Sequence, residues 1–172
     1  MLNIKKRLIT LPNAREAFEL QKVFEQCYNT QALGSGALAI NAGSAATWKT
    51  VNTIPYIING ALYTKAAVTA QAVPAAAALS ATGQNAVMIT IGLDAGGNVN
   101  TFTSAPATGP SAAAALASII PAQVADGVAV IGHIIIQSNA TIFTPATTAL
   151  DAAGITATYI NIVGPFFPVS PV

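Results

Sequence analysis

The alternation of apolar and polar positions changes character once along the chain. Between Asn13 and Tyr28 the apolar residues recur at helical spacing. Ala17, Leu20, Phe24 and Cys27 are separated by three, four and three positions, and Phe18, Val23 and Tyr28 widen the seam. Glu16, Glu19, Lys22 and Glu25 fall mostly off it. Asn13 can cap the segment, with Ala14 as its first helical residue and Glu16 at the third helical position, which resembles a capping box. The flexible run Gly34-Ser35-Gly36 marks where the helix has stopped. The pattern predicts an amphipathic helix within an N-terminal arm, residues 1–33. The seam of Ala17, Leu20, Phe24 and Cys27 is a candidate surface for packing on its own domain, on copies of itself or on a neighbouring protein. It spans less than two heptads, too short for a coiled coil alone.

After Gly36 the period shortens to that of strands. Residues 47–51 alternate. Residues 55–58 and 61–66 flank Asn59-Gly60, the pair that suits a type I′ hairpin because both central positions need positive φ. Residues 87–93 and 98–103 flank a Gly-rich turn at 94–97 and predict a second hairpin. Residues 127–137 form a long apolar strand with a bend at Gly132, and 155–163 are rich in β-branched residues, as a last core strand would be. Ser111 can cap a short helix over 112–119, stopped by Pro121, and 74–79 fit one helical turn or an Ala-rich connector. Residues 164–172 hold three prolines in nine positions and cannot form a central strand. Phe166 and Phe167 suggest an extended tail that docks on its own domain or on a neighbour. No repeat in the 20–50 residue range is present. The expected fold is mainly β: an antiparallel β-sandwich or barrel-like domain over residues 34–163, between an N-terminal α-helical arm and the extended tail.

Composition narrows the class. Of the 172 residues 53% are apolar and 8% charged, where a soluble domain usually carries about 25% charged residues. Such a surface has little charge repulsion to hold copies apart. The charge is also lopsided. Lys5, Lys6, Arg7, Arg15 and Lys22 with Glu16, Glu19 and Glu25 put eight of the 13 charges in the first 25 residues; Lys49, Lys65, Asp94, Asp126 and Asp151 are the remainder. Net charge is +1, which gives no electrostatic reason to expect nucleic acid, and Lys5-Lys6-Arg7 is too small a cluster to change that. The most apolar stretch, 112–136, is interrupted by Pro121, Gln123, Asp126 and His133 and does not predict a membrane span. Arg15, Glu16 and Glu19 stand where the apolar part of a signal peptide would be. A single cysteine, Cys27, excludes an internal disulfide and fits a reducing cytoplasm.

Groups able to move protons or attack are scarce. Asp94, Asp126 and Asp151 each precede Gly or Ala-Gly turn residues, so turn-making is the expected role. His133 stands alone in an apolar strand, as a hydrogen-bonded core or interface histidine would. One His and one Cys make no metal cluster. Cys27 fits a small buried hydrophobe better than a nucleophile. There is no nucleophile elbow, P-loop or dinucleotide fingerprint. Asp94-Ala-Gly-Gly-Asn98-Val-Asn100 offers oxygen ligands but lacks the later acidic residue that a Ca²⁺ loop uses. No catalytic, cofactor-binding or metal-ligating residue is therefore expected.

Four runs carry a resemblance: Leu116-Ala-Ser-Ile-Ile-Pro121; Val128-Ala-Val-Ile-Gly-His-Ile-Ile-Ile; Thr141-Ile-Phe-Thr-Pro-Ala-Thr-Thr-Ala-Leu-Asp151; and Gly154-Ile-Thr-Ala-Thr-Tyr159. Together with Ile57-Ile-Asn-Gly-Ala-Leu-Tyr-Thr-Lys-Ala and the hairpin at 94–98, their order resembles that of small tailed-bacteriophage virion proteins of the capsid decoration (cement) or head and tail fibre kind. The resemblance covers roughly residues 50–163, leaving out the arm and the tail. It implies a structural, non-enzymatic role on the virion, assembled in the host cytoplasm. The expected partners are a major capsid protein and copies of the chain itself, with a trimer implied by the resemblance alone, and neither nucleic acid nor membrane. The alternative is a fibre or receptor-binding adhesin module.

Overall fold

The structure, a computed structural model, describes residues 29–43, 45–80 and 82–165. The predicted arm helix lies outside these residues. The described part is mainly β, and its named strands pair antiparallel in three sheets. A four-stranded sheet has the order β12 (Gly164–Pro165), β1 (Gln31–Ala32), β4 (Ile54–Ile58) and β5 (Ala61–Lys65). A five-stranded sheet runs β11 (Ile155–Asn161), β10 (Ala129–Asn139), β7 (Gln84–Leu93), β8 (Val99–Thr103), with β9 (Ala107–Gly109) paired to β7 beyond the end of β8. A small third sheet joins β2 (Leu38–Ile40), β3 (Thr47–Thr50) and β6 (Gln71–Ala72).

The two larger sheets pack as a sandwich-like pair. Strand alternation sends Ile54, Tyr56 and Ile58 of β4 inward, where they join Val87, Ile89, Ile91 and Leu93 of β7 and Ile134 and Ile136 of β10. Each such fully buried aliphatic side chain contributes about 1.5–3 kcal/mol. Trp48 of β3 and Leu38 of β2 enter the same core. Two polar ties cross between layers: Tyr56 Oη donates to the Asp94 carbonyl at 3.0 Å, and the Leu38 amide donates to Asn161 Oδ1 at 2.9 Å.

Local chemistry explains the turns. Asn59 and Gly60 take φ of 50° and 81°, the left-handed pair that the β4–β5 hairpin needs. Ser111 accepts from the Ala114 amide and caps helix α1 (Ala112–Ala117). This helix is shorter than the sequence predicts, because Ser118 turns its hydroxyl back onto the Ala114 and Ala115 carbonyls. Residues 75–77 make a single 3-10 turn. Residues 155–161 form a strand at the sheet edge: β11 pairs only with β10, its Ile155 is buried in the core, and Ala157 and Tyr159 pack against that core. Gln31, Ala32, Gly164 and Pro165 pair within the body's own sheet.

The bend expected at Gly132 is a β-bulge. The register of β10 on β7 shifts between Val130 and Gly132, leaving Ile131 as the extra residue. A Cβ at Gly132 would meet the Ile160 carbonyl oxygen at 2.3 Å and Leu38 Cδ1 at 2.5 Å, so the close approach of three elements requires glycine. We expect Gly132→Ala to cost about 1–3 kcal/mol in urea unfolding. Gly43→Ala, where nothing lies within 4 Å, should change stability by less than about 0.5 kcal/mol.

Candidate interaction surface

Asp94 is engaged in its own turn. Asp94 Oδ1 accepts from the Gly96 and Asn98 amides, both at 2.9 Å, and its carboxylate also takes the side-chain amides of Asn98 and Asn100. These donors, led by the Asn98 backbone N–H, hold its carboxyl below the usual carboxylate range. Asp94 thus builds the β7–β8 turn. Asp126 precedes Gly127 at φ 73°, and Asp151 stands in the turn closed by the Ala152 amide on the Ala149 carbonyl.

His133 of β10 is half-buried on the side of the sheet away from the core, with Nδ1 and Thr90 Oγ1 3.0 Å apart. Burial lowers its pKa from the ordinary 6.5. Tyr159 is pushed up to about 12, first by burial and then by the charge of Asp151. Among the described residues no group of three or more His, Cys, Asp or Glu is placed to hold a metal ion, and no helix is long and apolar enough to cross a membrane. A hollow of about 490 Å³ lies between residues 65–71 and the turn at Gly97, with Lys65 its one charged liner.

Two surfaces stand out instead. The first is the free edge of β11. Asn139 donates to the Gly154 carbonyl, and the Ile162 amide to the Ile131 carbonyl. Even-numbered positions of β11 therefore face β10, and the N–H and C=O groups of Ala157, Tyr159 and Asn161 point away from it. The strand is seven residues long and carries neither charge nor proline, two of the usual guards of a free edge, while β2 packs on its end through the Leu38–Asn161 bond.

The second is the outer face of the four-stranded sheet. Register places Gln31, Ile57 and Leu62 in one row and Leu33, Pro55 and Thr64 in the next. No residue of these rows is charged. Leu62 is 69% exposed and Leu33 42%, and Val163, 55% exposed, directly precedes β12. By contrast, on the outer face of the five-stranded sheet α1 packs on β7 and β10, and Val128 fills the space above Gly92.

All six residues singled out from the sequence as interface candidates, Ala17, Leu20, Phe24, Cys27, Phe166 and Phe167, lie outside the described residues. Sequence reading passed over Leu33, Ile57 and Leu62. The signal was available in β4, whose Ile-Pro-Tyr-Ile-Ile is apolar on both faces, as a strand covered on both sides would be.

The burial of His133 has a pH consequence. Its folded pKa lies below the unfolded value, so the native state binds this proton less readily. Its neutral form is fully accommodated above about pH 6.5, and stability is lost as pH falls below that. Asp94, also lowered, contributes stability lost only below about pH 4. The melting temperature should therefore drop between about pH 7.5 and pH 5, and His133→Gln should flatten that drop in a thermal melt followed by circular dichroism. No family model, no curated protein and no solved structure matches this chain.

Proposed function

We propose that this chain is a virion structural protein, a capsid decoration (cement) protein that stabilises a phage head by binding between capsid subunits. The observation that carries the reading is the edge of β11, without charge or proline, on a body with almost no charge. Among the described residues only Lys49, Lys65, Asp94, Asp126 and Asp151 are acidic or basic, and Asp94 is engaged in its own turn. The order of sequence runs over residues 50–163 supports the same reading. A free monomer with such an edge is prone to pairing; a subunit seated permanently among neighbours uses it. The partners are a major capsid protein and copies of the chain, with three copies following from the resemblance alone. The role is non-enzymatic and needs no cofactor: main-chain hydrogen bonds and apolar burial across subunit joints raise the barrier to opening the shell.

The test is the heat stability of particles. Heads stripped of this protein should release their contents at a lower temperature than complete heads, and adding the purified chain back should restore them. A Thr156→Lys, Thr158→Lys double variant charges two exposed positions of β11; it should fold as the parent does and fail to restore. Equal heat stability of stripped and complete heads would overturn the reading, and a location at tail tips by electron microscopy would move it to a fibre or adhesin module.

A further inference from the structure

The edges of the sheets differ in what lies beside them. Among the described strands longer than three residues, β5, β8 and β11 stand at an edge. β5 carries Lys65. β8 has neighbouring chain at both ends: residues 65–71 face Val99 across one hollow, and residues 123–126 face Phe102 across another. Among the described residues β11 pairs only with β10, and Ile155–Asn161 hold neither charge nor proline. The main-chain groups of Ala157 and Tyr159 point away from β10. The two ends of β11 are engaged by the chain itself. The Ile155 amide donates to the Ala152 carbonyl at 2.9 Å, and β2 packs beside Asn161, whose Oδ1 takes the Leu38 amide. The stretch left for pairing is the middle of the strand, around Thr158.

We propose that this stretch pairs antiparallel with the same stretch of a second copy, about a two-fold axis at Thr158, so that two five-stranded sheets run on into one. The register follows from the strand's own order. Antiparallel residues that exchange main-chain hydrogen bonds must both point outward, which sets Ala157 of each copy opposite Tyr159 of the partner subunit. A small side chain then stands against a large one on the side that packs on the core. On the outer face the exposed Thr158 meets its own copy, and the exposed Thr156 meets Ile160. Ile160, 40% exposed, thereby gains a β-branched neighbour. A register centred on Tyr159 instead would oppose two tyrosines and carry the pairing onto Asn161, where β2 packs. No charge lies in the paired span, so identical strands meet without repulsion. A two-fold contact of this kind closes on itself. A strand of another protein can add to the same edge; the fit of Ala157 to Tyr159 about Thr158 selects a second copy. The pairing goes beyond the capsid reading and does not rest on it. It gives an even number of copies, unlike the three that the resemblance implies.

The test uses the full chain, with its single cysteine removed by Cys27→Ser. Antiparallel residues opposite each other at a non-hydrogen-bonded site have Cα atoms about 4.5 Å apart, within disulfide reach. Added Thr158→Cys should therefore link two chains on mild air oxidation. Thr156→Cys in the same background should not, because the two positions 156 would stand about 13 Å apart. The parent should sediment as a dimer. Ala157→Pro removes an N–H that points away from β10 and leaves the β10 ladder whole. It should weaken the dimer about tenfold or more, and Thr158→Lys, which sets two charges at the axis, should do the same. A parent that is a monomer at every concentration, or a trimer, would overturn the pairing. So would a dimer that does not link through position 158, or one that neither Ala157→Pro nor Thr158→Lys weakens. Particle heat stability is read separately: a monomeric chain that restores stripped heads would overturn this pairing and leave the capsid reading standing.

Discussion

The backbone of β7 sets the constraint that the rest of the described fold obeys. From Asn85 to Leu93 every residue is buried, so its N–H and C=O groups lie away from bulk water and need partners in the sheet. One flank is covered along the whole strand by β10. The other is covered in three pieces: β9 takes Gln84 to Ala86, β8 takes Ile89 to Leu93, and Ser104 bridges the gap. Its amide donates to the Met88 carbonyl at 2.8 Å, while its hydroxyl accepts the Met88 amide at 3.0 Å. The buried hydroxyl of Ser104 is thus the substitute for a missing rung between two short strands. The bulge at Ile131 belongs to the same constraint, since it lets β10 keep pairing with β7 while bending around Leu38.

The two main sheets differ in how they are finished. The five-stranded sheet has its inner face on the core, and its outer face is covered at β7 and β10 by α1 and above Gly92 by Val128. That closure explains why His133 and Thr90 can pair on the outer side of β10 and β7 yet be shielded from water. The four-stranded sheet leaves Leu33 and Leu62 exposed on its outer face, and both ends of the described chain meet its β4–β5 end. The Asp94 carboxylate holds a turn, and main-chain groups of Ala157, Tyr159 and Asn161 point away from β10 at the β11 edge.

Much of this was legible in the residues. Asn59-Gly60, the Gly-rich turn after Asp94, the cap at Ser111 and the break at Gly132 all act through local chemistry, because φ preference and capping depend on a few neighbouring residues. The two hairpins and the long strands followed from alternation. Strands β2, β6 and β9 did not: each has two or three residues, too few for a period, and exists because a longer strand beside it had open hydrogen bonds. The edge position of β11 was also illegible, since Ile155-Thr-Ala-Thr-Tyr-Ile-Asn161 has the β-branched composition of an interior strand. Composition reports that a segment prefers extended backbone; it does not report how many neighbours that backbone has.

The same division applies to the candidate surfaces. The sequence by itself determined a β-rich body nearly free of charge and a charged, amphipathic segment before Asn29, because charge and apolar period are properties of residue type and order. Only the tertiary structure decided that Leu33, Ile57 and Leu62 share one face, that Ala157, Tyr159 and Asn161 turn their backbone away from β10, and that Asn29 stands beside Gly60. Those are consequences of register between strands distant in sequence, set by which faces must be buried together.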